Sequence, residues 1–184
     1  MSKVQKADES KVGAVLISDV HLDHTPPIWR SVEPDWYAAQ ERVMKEVQGL
    51  CNKHKSPLIV AGDLFNKWNV PPELINRAIK WFQTSYGTYT IAGQHDLPHH
   101  RYEDIKKSAY WTLVESGAIE HVKDYIVENP VNWNKELRIY GFNWGSSYVG
   151  VEELRSPGIN LTGKRIIALI AFKTSVFYRY NNRR

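Results

Sequence analysis

The chain has 184 residues, 42% of them hydrophobic and 24% charged, which are the proportions of a folded globular domain and exclude a disordered or fibrous chain. No apolar run approaches the ~20 residues of a bilayer span, and residues 1–10 are too polar for a signal peptide. One cysteine, Cys51, excludes an intrachain disulfide and a cysteine-rich zinc site, so a reducing cytoplasm is the expected compartment. The formal net charge of +4 equals the charge of Lys173, Arg179, Arg183 and Arg184 together, so residues 1–172 sum to zero and the basicity belongs to a short tail.

In chain order, residues 1–12 are polar and expected to be disordered. Residues 13–17, Gly-Ala-Val-Leu-Ile, read as a buried strand ending at Ser18-Asp19. Asp35 is placed to cap a helix over 36–53, with an apolar stripe at Val43, Val47, Leu50 and His54. Ser56-Pro57 breaks it, and residues 58–61 form a second strand that closes on Gly62-Asp63. Pro71 and Pro72 start a helix carrying Leu74, Ile75, Ala78, Ile79 and Phe82 on one face. Residues 88–92 form a third strand running into Gly93-Gln94-His95-Asp96. Asp104 or Ser108 begins a further helix that Gly117 stops. Beyond it the spacing turns β-like, over 119–122, 125–127, 137–142 and 165–170. The alternation of strands and helices predicts one α/β domain with a mainly parallel sheet flanked by helices.

Ligand chemistry in such sheets gathers beyond the carboxyl ends of the strands. Here each of the first three strands ends in metal-type donors: Asp19-Val20-His21, Gly62-Asp63 and Gly93-Gln94-His95-Asp96. Alternation along an extended segment places Asp19 and His21 on one side. Carboxylate oxygen with imidazole nitrogen suits Mn, Fe or Zn better than Mg or Ca. The glycines before Asp63 and Gln94 allow tight turns and close backbone approach. Each cluster alone has a plainer reading as a cap or turn; three in order, each at a strand end, point to a metal.

The three blocks resemble those of the calcineurin-like metallophosphoesterases, whose signature is Asp-x-His, Gly-Asp, Gly-Asn-His-Asp/Glu, an isolated His and Gly-His-x-His. Gly62-Asp63-Leu64-Phe65 and Gly93-Gln94-His95-Asp96-Leu97-Pro98 are similar to the SbcD-type nuclease branch and its bacteriophage recombination endonuclease counterparts. The resemblance covers residues 13–110 closely, and implies a layered metallophosphoesterase fold over 13–172. It implies a Mn2+-dependent phosphodiesterase acting on DNA, as exonuclease or endonuclease, with Fe2+ or Zn2+ as other metals. It also implies an SbcC-like ATPase partner, a homodimer, no membrane association, and the cytoplasm of the cell or of a phage host. By the same resemblance Asp19 and His21 hold a first ion, Asp63 bridges to a second, and Gln94 stands where the family has a ligating Asn. His95 serves as proton donor or charge stabiliser, with Asp96 fixing its tautomer.

Departures qualify this. Every histidine lies at or before His121, and Ala171 follows the strand at 165–170 where the family has its isolated His. Three imidazole ligands are therefore missing. The expectation is a C-terminally truncated member with incomplete C-terminal strands, a basic tail at 173–184, and one weakly held ion where an intact member has two. A catalytically impaired member with a binding or vestigial role, and a phosphoesterase acting on a nucleotide or small phosphodiester, stand as alternatives. Asp23 and His24 are read as supports of the first block, His99 and His100 as surface residues able to assist a metal, and His54 and His121 as structural. Trp29, Trp68, Trp133 and Trp144 are read either as stacking faces for unpaired bases or as cover for a core or partner surface. Trp36, Trp81 and Trp111 are read as packing.

Overall fold

The computed structural model describes residues 12–123, 125–128, 137–145, 165–170 and 178–180. Strand β1 (Val15–Ile17) leads through a loop and a 3-10 turn at Ile28–Arg30 into helix α1 (Trp36–His54). Then come β2 (Leu58–Val60), α2 (Pro72–Phe82), β3 (Thr88–Thr90), α3 (Ala109–Glu115) and β4 (Glu120–His121). The helices start where the side chains say they should. Asp35 accepts from the Ala38 N–H, Pro72 occupies the first turn of α2, and Ser108 accepts from the Trp111 N–H. The helical reading from Asp104 resolves into a 3-10 turn at Tyr102–Lys107 followed by α3, with Ser108 as the true cap.

The four strands lie in the order β1-β2-β3-β4 and pair parallel, with Val60 opposite both Ile17 and Thr90. Their carboxyl ends therefore align at one edge. One face carries a core of Leu58, Val60, Leu64, Phe65, Met44, Leu74, Phe82 and Tyr110 beneath the helices. The other face, with Ile59, Tyr89, Ile91 and Val122, packs on Ile139 of β6 (Leu137–Phe142). Strand β6 belongs to a second sheet, ordered β5-β6-β7-β8, in which β5 is Tyr125–Glu128, β7 Arg165–Ile170 and β8 Tyr178–Tyr180. The β6–β7 pair is parallel and the outer pairs antiparallel. Gly141 sits where the two sheets meet, and a Cβ there would overlap the Val122 carbonyl. The parallel sheet flanked by helices confirms the expected α/β class.

Three expectations change. Strand β1 is not buried: it forms an edge among the described strands, and Leu16 is exposed. The buried face of α1 is offset by three residues, running Gln40, Met44, Val47 and Cys51, while Val43 and Leu50 face outward. The stripe of 43, 47, 50 and 54 has the same four-three-four spacing as 40, 44, 47 and 51. Periodicity fixes the repeat but not its phase, and the polar Gln40 hid the true one. Last, the segment read as a basic tail contributes β8, antiparallel to β7, with Tyr178 opposite Ala168. Of the polar N-terminus only Val12 is described; its carbonyl accepts from the Ser56 hydroxyl. No helix among the described residues is long and apolar enough to cross a membrane.

Candidate metal centre

Beyond the sheet's carboxyl edge the first two loops run side by side. The His21 N–H donates to the Asp63 carbonyl at 2.9 Å, Leu22 N–H to Leu64 at 2.9 Å, and Asn66 N–H to Leu22 at 3.0 Å. The third loop is pressed against the second. Gly62 takes φ +80°, and Gly93 lies so close that a Cβ on it would overlap the Asp63 carboxylate and backbone N. Only glycine fits at 93, so the Gly before Gln94 is a requirement of close approach, as its place in the sequence predicts.

Asp96 joins these loops from beneath. Its carboxylate is fully buried and accepts backbone N–H bonds from Gly93 (3.0 Å), Phe65 (3.1 Å) and Leu64 (3.3 Å). Burial raises its pKa to about 7, against the pull of those three donors. The sequence reading gave Asp96 the task of fixing the His95 tautomer; the geometry gives that task to Asn66. The Asn66 carbonyl lies 3.1 Å from His95 Nδ1. A carbonyl can only accept, so Nδ1 carries the proton and Nε2 holds the lone pair. Asn66 is itself held, its amide donating to Asp23 Oδ2 at 2.7 Å. Asp23 is anchored in turn through its main chain by the buried Gln40, whose amide accepts from its N–H and donates to its carbonyl. Sequence reasoning missed Asn66 and Gln40; Asn66 directly follows the second block, and that adjacency was the available signal.

The result is a compact donor group. One ligand-type atom each from His21, Asp63 and His95 lie within 4.8 Å of one another, and the two imidazoles meet edge to face at 4.9 Å between centroids. The Asp63 Oδ1 also accepts the His95 backbone N–H at 2.9 Å, which fixes carboxylate and ring relative to one another. His21 Nδ1 is buried with no hydrogen-bond partner. Buried polar atoms are nearly always satisfied, so this nitrogen fits a cation ligand. One carboxylate and two imidazoles form the donor set of a first-row divalent ion.

The expected residues distribute unevenly around this group. Asp63 and His21 are in it, and His95 joins as a third donor. Asp19 is not part of it: exposed at φ +50°, it stands on a left-handed turn, as does His21 at φ +47°. The extended alternation that would have put both on one side does not occur. The Gln94 amide lies 3.2 Å from His95 Nε2 and, that nitrogen being the acceptor, donates to it. Gln94 thus occupies the lone pair a cation at His95 would use. His100 donates through Nδ1 to the Gln94 carbonyl at 2.9 Å, and His99 packs near Trp68; both are exposed and outside the donor group. His24 pairs with Asp23 at 2.9 Å. His121 is structural, with Tyr110 and Tyr102 hydroxyls at 2.7 Å and 2.8 Å from its two ring nitrogens, and burial lowers its pKa to about 4. His54 ends α1, half-buried. Trp81 is buried, Trp144 packs against the core, Trp29 is 81% exposed, and Trp133 and Ala171 lie outside the described residues.

No curated protein matches the chain. Residues 14–166, reaching from the first strand into β7, match the calcineurin-like phosphoesterase family, and the chain belongs to that family of metal-dependent phosphoester hydrolases.

Proposed function

We propose that the protein is a Mn2+-dependent phosphodiesterase acting on DNA, of the SbcD type. The observation that carries the reading is the donor group of His21, Asp63 and His95, with His21 Nδ1 buried and unpartnered. A divalent ion held there supplies Lewis acidity toward a phosphoryl oxygen and lowers the pKa of a bound water. The chain's own residues do the rest. Asp63 offsets cationic charge, and its second role as acceptor from the His95 N–H keeps its oxygens aimed. Asn66 holds the proton on His95 Nδ1, so Nε2 offers a lone pair that would ligate the ion once the Gln94 amide, 3.2 Å away, gives it up. Asp96 keeps the second and third loops in contact, so the three donors hold their spacing without substrate. Such a centre reads backbone, not bases, which suits a nuclease.

The resemblance also assigns Asp19 to the first ion and an SbcC-like ATPase and a second copy of the chain as partners; these belong to the same proposal. The test is hydrolysis by the purified chain with Mn2+ on linear double-stranded DNA, single-stranded DNA and bis(p-nitrophenyl) phosphate, beside Asp63→Ala. DNA cleavage that falls by on the order of a hundredfold or more in Asp63→Ala is expected. Turnover of the small ester alone moves the substrate to a nucleotide or small phosphodiester. Inactivity on all three contradicts hydrolysis by this chain.

A further inference from the structure

A cleft of about 760 Å³ opens directly from the donor group, between the 20–30 loop and α1. His21 and His95 line it, as do Trp29, Trp36, Pro27 and Val43. We propose that this cleft is a base-binding subsite, which takes one unpaired nucleobase of a strand whose phosphate lies at the His21–Asp63–His95 centre. The inference rests on the phosphodiesterase reading and deepens it by naming what the cleft holds.

Size and continuity come first. The volume is that of a pocket for a small organic group, far more than a phosphate at the donor group would fill. A strand whose phosphate sits at the centre would extend its next group into the remainder. Its lining is apolar where the group would sit. Trp29 is 81% exposed and the neighbouring Ile28 90% exposed, an aromatic and an aliphatic surface left open at the mouth of the site.

The neighbouring part of the wall is already set. The Trp36 indole N–H donates to the Asp23 carbonyl at 2.9 Å, and the Arg30 guanidinium lies 5.8 Å from its ring centroid. Arg30 is held by Glu33 at 2.7 Å, and Glu33 also meets Arg42 at 3.3 Å, so the 3-10 turn that presents Trp29 is pinned to α1. Trp29 itself has no polar partner among the described residues. Stacking against a flat π-face is the interaction this arrangement offers, and it tolerates any base.

Charge agrees. Lys67 is exposed on the cleft wall, and no ion pair holds it among the described residues. The cleft's one carboxylate, Asp23, is taken up by Asn66 at 2.7 Å and by His24. The cleft lining thus presents a free cation to a polyanion, while its own carboxylate is engaged. A base inside a duplex shows no open face, so the subsite selects a single-stranded segment or a frayed end.

The test is binding without turnover, so that it stands apart from hydrolysis. Fluorescence anisotropy in EDTA would compare labelled pentathymidylate with an abasic pentamer of the same phosphates, for the full chain, Trp29→Ala and Trp29→Phe. The chain should bind the base-bearing strand about tenfold tighter than the abasic one. Trp29→Ala should bring the two within about twofold, and Trp29→Phe should keep most of the difference. Equal binding of the two strands by the unaltered chain, or binding of neither, would overturn the inference, as would a base preference that survives Trp29→Ala. Sedimentation velocity adds a further check. If Trp29→Ala converts dimers to monomers and leaves base preference intact, the face belongs to a second copy of the chain and the proposal fails.

Discussion

Asp19, His21 and Asp63 all hold left-handed backbone, at φ +50°, +47° and +50°, a conformation that costs a non-glycine residue about 1–3 kcal/mol. Three such residues on two adjacent loops mark the place where conformational ease gives way to donor placement. The sequence names the donor types and the glycines that let loops close, because those are chemical facts about single residues. It does not name the dihedral angles, and so an extended-segment argument grouped Asp19 with His21 where the turns group His95 instead. Gly93 carries the sharpest consequence. Gly93→Ala places a methyl against the Asp63 carboxylate, and is expected to cost about 2 kcal/mol or more of stability and to abolish Mn2+ binding. Gly49, on the exposed side of α1 with nothing within 4 Å of an added Cβ, is the control. Gly49→Ala should stabilise by about 0.5–1 kcal/mol and leave binding alone. Denaturant unfolding and metal titration of both variants check the pair.

At the scale of elements, caps and breakers were legible: Asp35, Ser56-Pro57, Pro72 and Gly117 bound their helices where side-chain chemistry requires. The phase of α1 was not. Its inward row includes Gln40, buried because its amide anchors the Asp23 main chain. A polar residue on the core face is a local inconsistency, and here it serves the loop that holds His21 and the Asn66 support. The phase is open to direct measurement. Met44 is 1% exposed and Val43 57%, so Met44→Ala should cost about 2–5 kcal/mol and Val43→Ala under about 0.5 kcal/mol. The reverse ranking in chemical denaturation would restore the stripe through Val43 and Leu50.

For the molecule as a whole, the parallel order of the first sheet followed from alternating strands and helices, because a parallel neighbour needs a crossover long enough for a helix. The pairing of β7 with β8 was not legible, since Tyr178-Arg179-Tyr180, three residues within a basic stretch, carry too little apolar pattern to mark a strand. Two buried ionisable groups set an expectation for pH. Asp96 has a folded pKa of about 7 against an ordinary value near 3.8, so the folded state binds the extra proton and stability falls as pH rises across that interval. His121 has a folded pKa of about 4 against 6.5, so the unfolded state binds the extra proton and stability rises with pH across nearly the same interval. The two slopes oppose, so the net contribution of this pair to the unfolding free energy should be small between about pH 4 and 6.5. Asp96→Asn should expose the rising limb of His121, and His121→Gln the falling limb of Asp96. Urea unfolding at several pH values reads both slopes, and a variant slope of the wrong sign would contradict the assignment.

The proposed chemistry stands on His21, Asp63 and His95 together holding one divalent cation. Calorimetric titration of Mn2+ into the metal-free chain tests it most directly, beside Asp63→Ala, His21→Ala, His95→Ala and Asp19→Asn, each first confirmed as folded by circular dichroism. A single site is expected, lost in the first three variants and weakened less in Asp19→Asn. An unaltered chain that takes up no Mn2+, or uptake that Asp63→Ala leaves unchanged, would contradict it.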